Sequence, residues 1–97
     1  MFLVTLARTG PEWDPSVSLE EQSGWAEHAA FMDGLVAEGV IVLGGPLDEV
    51  RVAPAIEADS PDAVRAALAR DPWIGSHLVL DRIERWTIRL DGTRRSG

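Results

Sequence analysis

The sequence predicts a single-domain α+β fold, and three observations carry the prediction. Apolar segments of strand length alternate with two segments of helical periodicity, in the order strand, helix, strand, strand, helix, strand. Each helical segment has a serine at its start, and the first stops at a glycine, the second at a proline. No linker or low-complexity stretch interrupts the 97 residues, a common length for one domain. This element order is the ferredoxin-like βαββαβ pattern, in which two helices cover one face of a four-stranded antiparallel sheet. The domain is expected over residues 1–90, with 91–97, rich in Gly, Ser and Arg, as a flexible tail.

Residues 2–7 form the first strand, apolar in both phases and so suited to cover on both faces. Residues 8–15 hold Gly10-Pro11 and Asp14-Pro15, which mark a loop. Trp13 in that loop either lies over the edge of the core or meets a ligand. Ser18 and Glu21 have capping-box spacing, and an apolar stripe follows through Trp25, His28, Ala29, Met32, Leu35 and Val36. Gly39 closes that helix. Residues 40–43 are a short β-branched strand running into Gly44-Gly45-Pro46, where paired glycines allow either a tight exit or close approach of a ligand to the backbone. Residues 51–58 return as the third strand, and Pro54, lacking a ladder donor, points to an edge position or a bulge. Ser60-Pro61 opens the second helix, with stripe residues Val64, Ala67, Leu68 and Asp71 before Pro72 stops it. Residues 77–90 read as a long last strand whose phase changes, which places a bulge or bend between Asp81 and Arg85. His77 begins that strand as a partly exposed residue, and Arg82, Arg85 and Arg89 form a solvated or ion-paired face.

Composition removes several function classes. The net charge of −7 argues against a nucleic-acid or anionic-membrane surface. No apolar run approaches the roughly 20 residues of a membrane span. The chain begins directly in a strand-like segment with no charged leader, so a cytoplasmic protein is expected. Cysteine, lysine and tyrosine are absent, which removes thiolate, Schiff-base and phenolic-acid chemistry. No metal-ligand spacing links His28 to His77, so no metal site is expected. Neither face of the first two strands is polar enough for water. At roughly 25 cal/mol per Å² of apolar area, hiding the open sheet face is worth several kcal/mol, and a face-to-face homodimer is expected.

The residue most in need of explanation is His28, a titratable group on a core-facing stripe. In the antiparallel arrangement of the two helices, the end of the second lies beside the first half of the first. Asp71 is then the partner within reach. Pairing relieves a buried carboxylate and a buried imidazole together, fixes the imidazole tautomer and raises the basicity of its other nitrogen. The competing account is structural: an Asp-Pro turn bonding its own backbone, beside a histidine satisfied in the core. Trp25, Phe31, Trp73 and Trp13 are either core residues or an aromatic wall.

Trp25-Ala-Glu-His28, Leu43-Gly-Gly-Pro-Leu47, Glu57-Ala-Asp-Ser60, Asp71-Pro-Trp73 and Glu84-Arg-Trp86 occur in an order and spacing that resemble the YCII-related, or DGPF-domain, family of dimeric α+β-barrel proteins. The resemblance runs from Phe2 to about Leu90. It implies a dimeric α+β barrel and a His–Asp dyad at His28 and Asp71, with no cofactor. It also implies a lyase, isomerase or dehalogenase reaction on a small aromatic or lactone-like molecule, for which Trp25, Gly44, Gly45, Pro46 and Trp73 are the candidate binding residues. The alternative is a ligand-binding or accessory module in which the pair is only a structural hydrogen bond. A solvent-reachable cavity beside His28 separates the first case from a sealed structural pair.

Overall fold

The computed structural model describes residues 1–93. Its elements are β1 (Phe2–Ala7), a 3₁₀ turn (Leu19–Glu21), α1 (Trp25–Ala37), β2 (Ile41–Pro46), β3 (Arg51–Ile56), α2 (Pro61–Leu68) and β4 (Val79–Arg85). The strands form one antiparallel sheet in the order β2-β3-β1-β4, which is the ferredoxin-like arrangement. Residues 94–97 of the expected tail lie outside the described residues.

β1 sits inside the sheet, and its alternate residues Phe2, Val4 and Leu6 are buried while Leu3, Thr5 and Ala7 are only half-buried. The buried set joins Ile41 and Ile56 from the neighbouring strands with Leu35 of α1 and Val64 and Leu68 of α2. Both helices therefore cover the same face. The opposite face is apolar where Leu3, Ala53, Ala55 and Leu43 meet, and charged along β4, where Arg82 and Glu84 stand opposite Thr5 and Leu3. Arg82 and Glu84 approach to 3.9 Å, so this side is less uniformly apolar than the strand pattern of β1 and β2 predicts.

The start of α1 departs from the sequence expectation. Ser18 and Glu21 do bond, Oγ to Oε1 at 2.9 Å, but they close the 3₁₀ turn and not the α-helix. The helix begins after Gly24, whose φ of 72° is left-handed. A Cβ there would stand 3.2 Å from the Trp73 indole nitrogen, so a glycine is favoured by both backbone and neighbour. At the other end Gly39 terminates the helix as expected, with Gly39 N–H bonding Val36 O and Val40 N–H bonding Leu35 O. α2 is capped by Ser60, whose Oγ accepts from Ala63 N–H at 3.1 Å, but it stops at Leu68, three residues before Asp71.

Of the two settings expected for Pro54, an edge position or a bulge, the edge is excluded, since β3 lies inside the sheet. β3 pairs with β1 at Phe2↔Ile56 and Leu3↔Ala55 and again at Leu6↔Val52, so the missing donor falls between two stretches of ladder. The neighbouring register shift is in the β2 pairing, between Ile41 and Leu43. The bulge expected in β4 is present: Thr5 faces Arg82 and Leu6 faces Leu80, leaving Asp81 as the extra residue. The strand ends at Arg85, well before residue 90, after which Trp86 N–H bonds Met1 O.

The β2–β3 hairpin is closed by Asp48. Its Oδ1 accepts from the Val50 and Arg51 amides at 2.9 and 2.6 Å, and its Oδ2 from Arg51 Nε at 2.9 Å. These donors, the Arg51 amide first, hold its carboxyl down at about 2 from an ordinary 3.8. A carboxyl depressed in the folded state stabilises the turn above the unfolded value and loses that contribution as pH falls through the folded one. The Val50 and Arg51 amide resonances are expected to titrate with a midpoint near 2. A midpoint near 4, the unperturbed aspartate value, would remove Asp48 from this role.

Candidate active site

Asp71 and His28 meet where the chain leaves α2 and passes the first turn of α1. A carboxylate offers only lone pairs, so His28 Nδ1–H donates, to Oδ1 at 2.8 Å and Oδ2 at 3.1 Å. Asp71 Oδ1 also accepts from Trp73 N–H at 2.9 Å. The local Asp-Pro turn and the long-range pair are thus the same structure, and the two accounts of Asp71 do not compete. The Asp71 side chain is fully buried, whereas that of His28 is 10% exposed.

Trp73, 1% exposed, is the centre of the site. The His28 ring stacks on one face at 4.1 Å and 6°, and His77 stacks on the other at 4.6 Å and 17°. Trp25 leans against it at 5.8 Å and Trp13 meets it edge-on at 6.0 Å. The indole nitrogen donates to Ser23 O at 2.9 Å, which ties the turn after α2 to the segment leading into α1. The Trp73 carbonyl accepts the amides of Ser76, His77 and Leu78, so the segment carrying Asp71 and His77 is rigidly closed.

The two histidines have opposite circumstances. His77 is buried, contrary to the exposed strand end expected. Ser76 Oγ gives its one hydrogen to Pro72 O at 3.0 Å, so it accepts from His77 Nδ1–H at 3.0 Å. Nε2 then accepts from Ser23 Oγ–H at 2.9 Å, and His77 is a satisfied core histidine. His28 has only Nδ1 engaged. Among the described residues no buried side-chain nitrogen or oxygen lacks a partner, so the unbonded Nε2 is reached by solvent.

His28 lines a cavity of about 420 Å³ between α1 and the β2 edge of the sheet. That volume is in the range of small-molecule sites. Trp25, His28, Met32 and Val36 line it from α1, and 41–46 from β2. Leu6, Val52, Pro54 and Trp73 complete most of the wall. All five residues expected to bind a ligand, Trp25, Gly44, Gly45, Pro46 and Trp73, are in the lining. Asp71 is not, being screened by the imidazole it holds. Phe31 packs on the core instead, and Trp13 lines a separate surface recess. Neither Gly44 nor Gly45 has positive φ. A Cβ at Gly44 would stand 3.1 Å from Pro54 Cα, a tight contact with the neighbouring strand.

Sequence reasoning missed Arg8. It follows β1 and borders both the cavity and the recess beside Trp13, with its guanidinium 5.1 Å from the Trp13 ring centre. Its position could have been anticipated only from the β1–β3 pairing, which carries its amide to Val50 O at 2.7 Å. Among the described residues no group of His, Asp and Glu is arranged to hold a metal ion, and no helix is long and apolar enough to cross a membrane.

Fold and site define a class: a ferredoxin-like α+β chain whose first helix presents a carboxylate-held imidazole to an apolar cavity. Comparison with protein-family models, curated proteins and solved structures finds no match for this chain.

Proposed function

We propose that this protein is a cofactor-free general acid–base enzyme, related to the YCII family, in which His28 moves a proton on a small molecule and Asp71 orients it. The observation that carries the reading is the asymmetry of His28: Nδ1 is held by Asp71, Nε2 is unbonded and reached by solvent, and the residue lines the cavity. With Nδ1 protonated, the neutral ring carries its lone pair on Nε2. Stacking on Trp73 fixes the ring plane, so abstraction or return of a proton needs no side-chain rearrangement. A base so placed typically contributes about 10²–10⁴-fold in rate. A lyase, isomerase or dehalogenase step on an aromatic or lactone-like compound suits that chemistry.

The test is a thermal-shift screen of aromatic acids, catechols and lactones against wild type and His28→Ala, followed by turnover assays on the hits. A ligand at 100 times its Kd stabilises by about 2.7 kcal/mol. Specific hits are expected to weaken in the variant and to be turned over only by wild type. Hits turned over equally by both proteins would overturn the proposal. Tight hits that neither protein converts would favour a ligand-binding module.

The same reading includes a cytoplasmic homodimer packed through the open sheet face. Exposed Leu43 and Val79, at 55% and 41%, with half-buried Leu3 and Ala53, support it. Sedimentation equilibrium is expected to give a dimer at micromolar concentration, and Leu43→Glu a monomer. A wild-type monomer would exclude the barrel.

A further inference from the structure

The cavity beside His28 has an unusual charge pattern for so acidic a protein. Of the 16 Asp and Glu residues in the chain, none lines it. Among the described residues its two titratable lining residues are His28 and Arg8. Everything else around it is apolar or glycine, including Leu19, Met32, Ile41 and Val52. Among the described residues Arg8 has no carboxylate within ion-pair distance. Arg8 stands between this cavity and the neighbouring recess lined by Trp13 and Glu49, and its guanidinium makes one long bond on that side, Nη1 to Glu49 O at 3.4 Å, while lying over Trp13. Five N–H donors are available on the group, so most remain to be used.

We infer that Arg8 is a substrate-anchoring residue and that the cavity takes an apolar monocarboxylate, with the carboxylate on Arg8 and the hydrocarbon body reaching His28. The inference deepens the proposed function by naming the ligand class. It rests on that reading only in taking the same cavity as the binding site. The planar guanidinium fork matches a carboxylate through two parallel hydrogen bonds. One permanent cation balances one negative charge, and a second anionic group would lie unpaired against apolar walls, which is strongly unfavourable. Phosphate dianions and dicarboxylates are thereby disfavoured, and cations find no carboxylate to meet. The stacking of Arg8 on Trp13 leaves the charge in place and restricts its rotamers, which lowers the entropy lost on binding.

The experiment compares 1-naphthoate with 1-naphthamide, which have the same ring and nearly the same shape but differ by one charge. Binding is measured by equilibrium dialysis at low ionic strength for wild type, Arg8→Gln and Arg8→Lys. Wild type is expected to favour the carboxylate by about 10- to 100-fold, the worth of a hydrogen bond to a charged group. Arg8→Gln is expected to bring the ratio near one while the amide binds as before, which also shows that the variant is folded. Arg8→Lys retains the charge without the fork and is expected to keep part of the preference. Equal affinities in wild type, an unchanged ratio in Arg8→Gln, or no saturable binding of either probe would overturn the inference. Failure of the acid–base proposal looks different: the anion preference would stand, and no bound carboxylate would be turned over.

Discussion

Trp73→Ala is expected to destabilise the fold by about 3–5 kcal/mol, the usual cost of removing a large buried aromatic side chain. Total stabilities of about 5–15 kcal/mol make this a large fraction. The reason is the number of elements that meet on this one indole. His28 from α1 and His77 from the segment before β4 stack on its two faces, Trp25 and Trp13 close its sides, and its nitrogen holds Ser23 O. Truncation leaves a void that two imidazoles cannot fill without breaking their own hydrogen bonds. Trp73→Phe keeps a ring between them and is expected to lose less. Urea unfolding reads the effect as a shift in midpoint at constant slope. Trp13→Ala, at a half-buried position, serves as the comparison and is expected to cost less. A loss below about 1 kcal/mol for Trp73→Ala would remove it from the centre of the packing, since ordinary surface changes already reach about half that.

How far the sequence exposes this arrangement depends on whether the cause is local. The bounds of β1, the cap of α2 by Ser60, the stop of α1 at Gly39 and the bulge at Asp81 all follow from short-range patterns, and the structure has each of them. The start of α1 does not, because Gly24 is set by the indole of a residue 49 positions later, in a direction no capping rule contains. The same holds for His77. Read alone it is a polar residue at a strand end, and its burial is stable only because Ser23, 54 residues away, supplies a hydroxyl. Pro54 misleads only in its edge alternative: an interior strand tolerates it where the ladder to β1 has a gap and the β2 pairing nearby shifts register. His28 and Asp71 could be paired in advance because helical spacing puts His28 on the core-facing stripe and the element order brings the end of α2 beside α1, although Asp71 itself lies past Leu68 and not on the helix. Arg8 could not, since a residue just past a strand carries no periodicity to reveal which recess it borders.

Asp71→Asn is expected to lower turnover of any substrate found for this protein by roughly 10²–10⁴-fold, with little loss of stability. The amide is nearly isosteric with the carboxylate, and its oxygen can still accept from Trp73 N–H, as Asp71 Oδ1 does at 2.9 Å. The position of Oδ2, however, lies 3.1 Å from His28 Nδ1 and would now hold an NH₂ group. That NH₂ group opposes the same ring N–H that the amide oxygen still accepts at the Oδ1 position, 2.8 Å away, and an amide oxygen is a weaker acceptor than a carboxylate, so the tautomer with the proton on Nε2 gains population. In that tautomer Nε2 has no lone pair. In a catalytic histidine held by a buried aspartate, the same carboxylate-to-amide change costs on the order of 10⁴-fold through the wrong tautomer. Asp71→Ala is the harsher variant, because it leaves both the imidazole N–H and the Trp73 amide without an acceptor, at about 1–3 kcal/mol each. Two readouts separate the roles. Nitrogen-15 spectra of the His28 ring are expected to show Nδ1–H in wild type and a changed tautomer in Asp71→Asn, while the urea midpoint stays close to wild type. If turnover persists with the tautomer changed, Nε2 is not the proton carrier. If the midpoint falls and the tautomer does not change, Asp71 is a structural partner of the turn and His28 loses its orienting group.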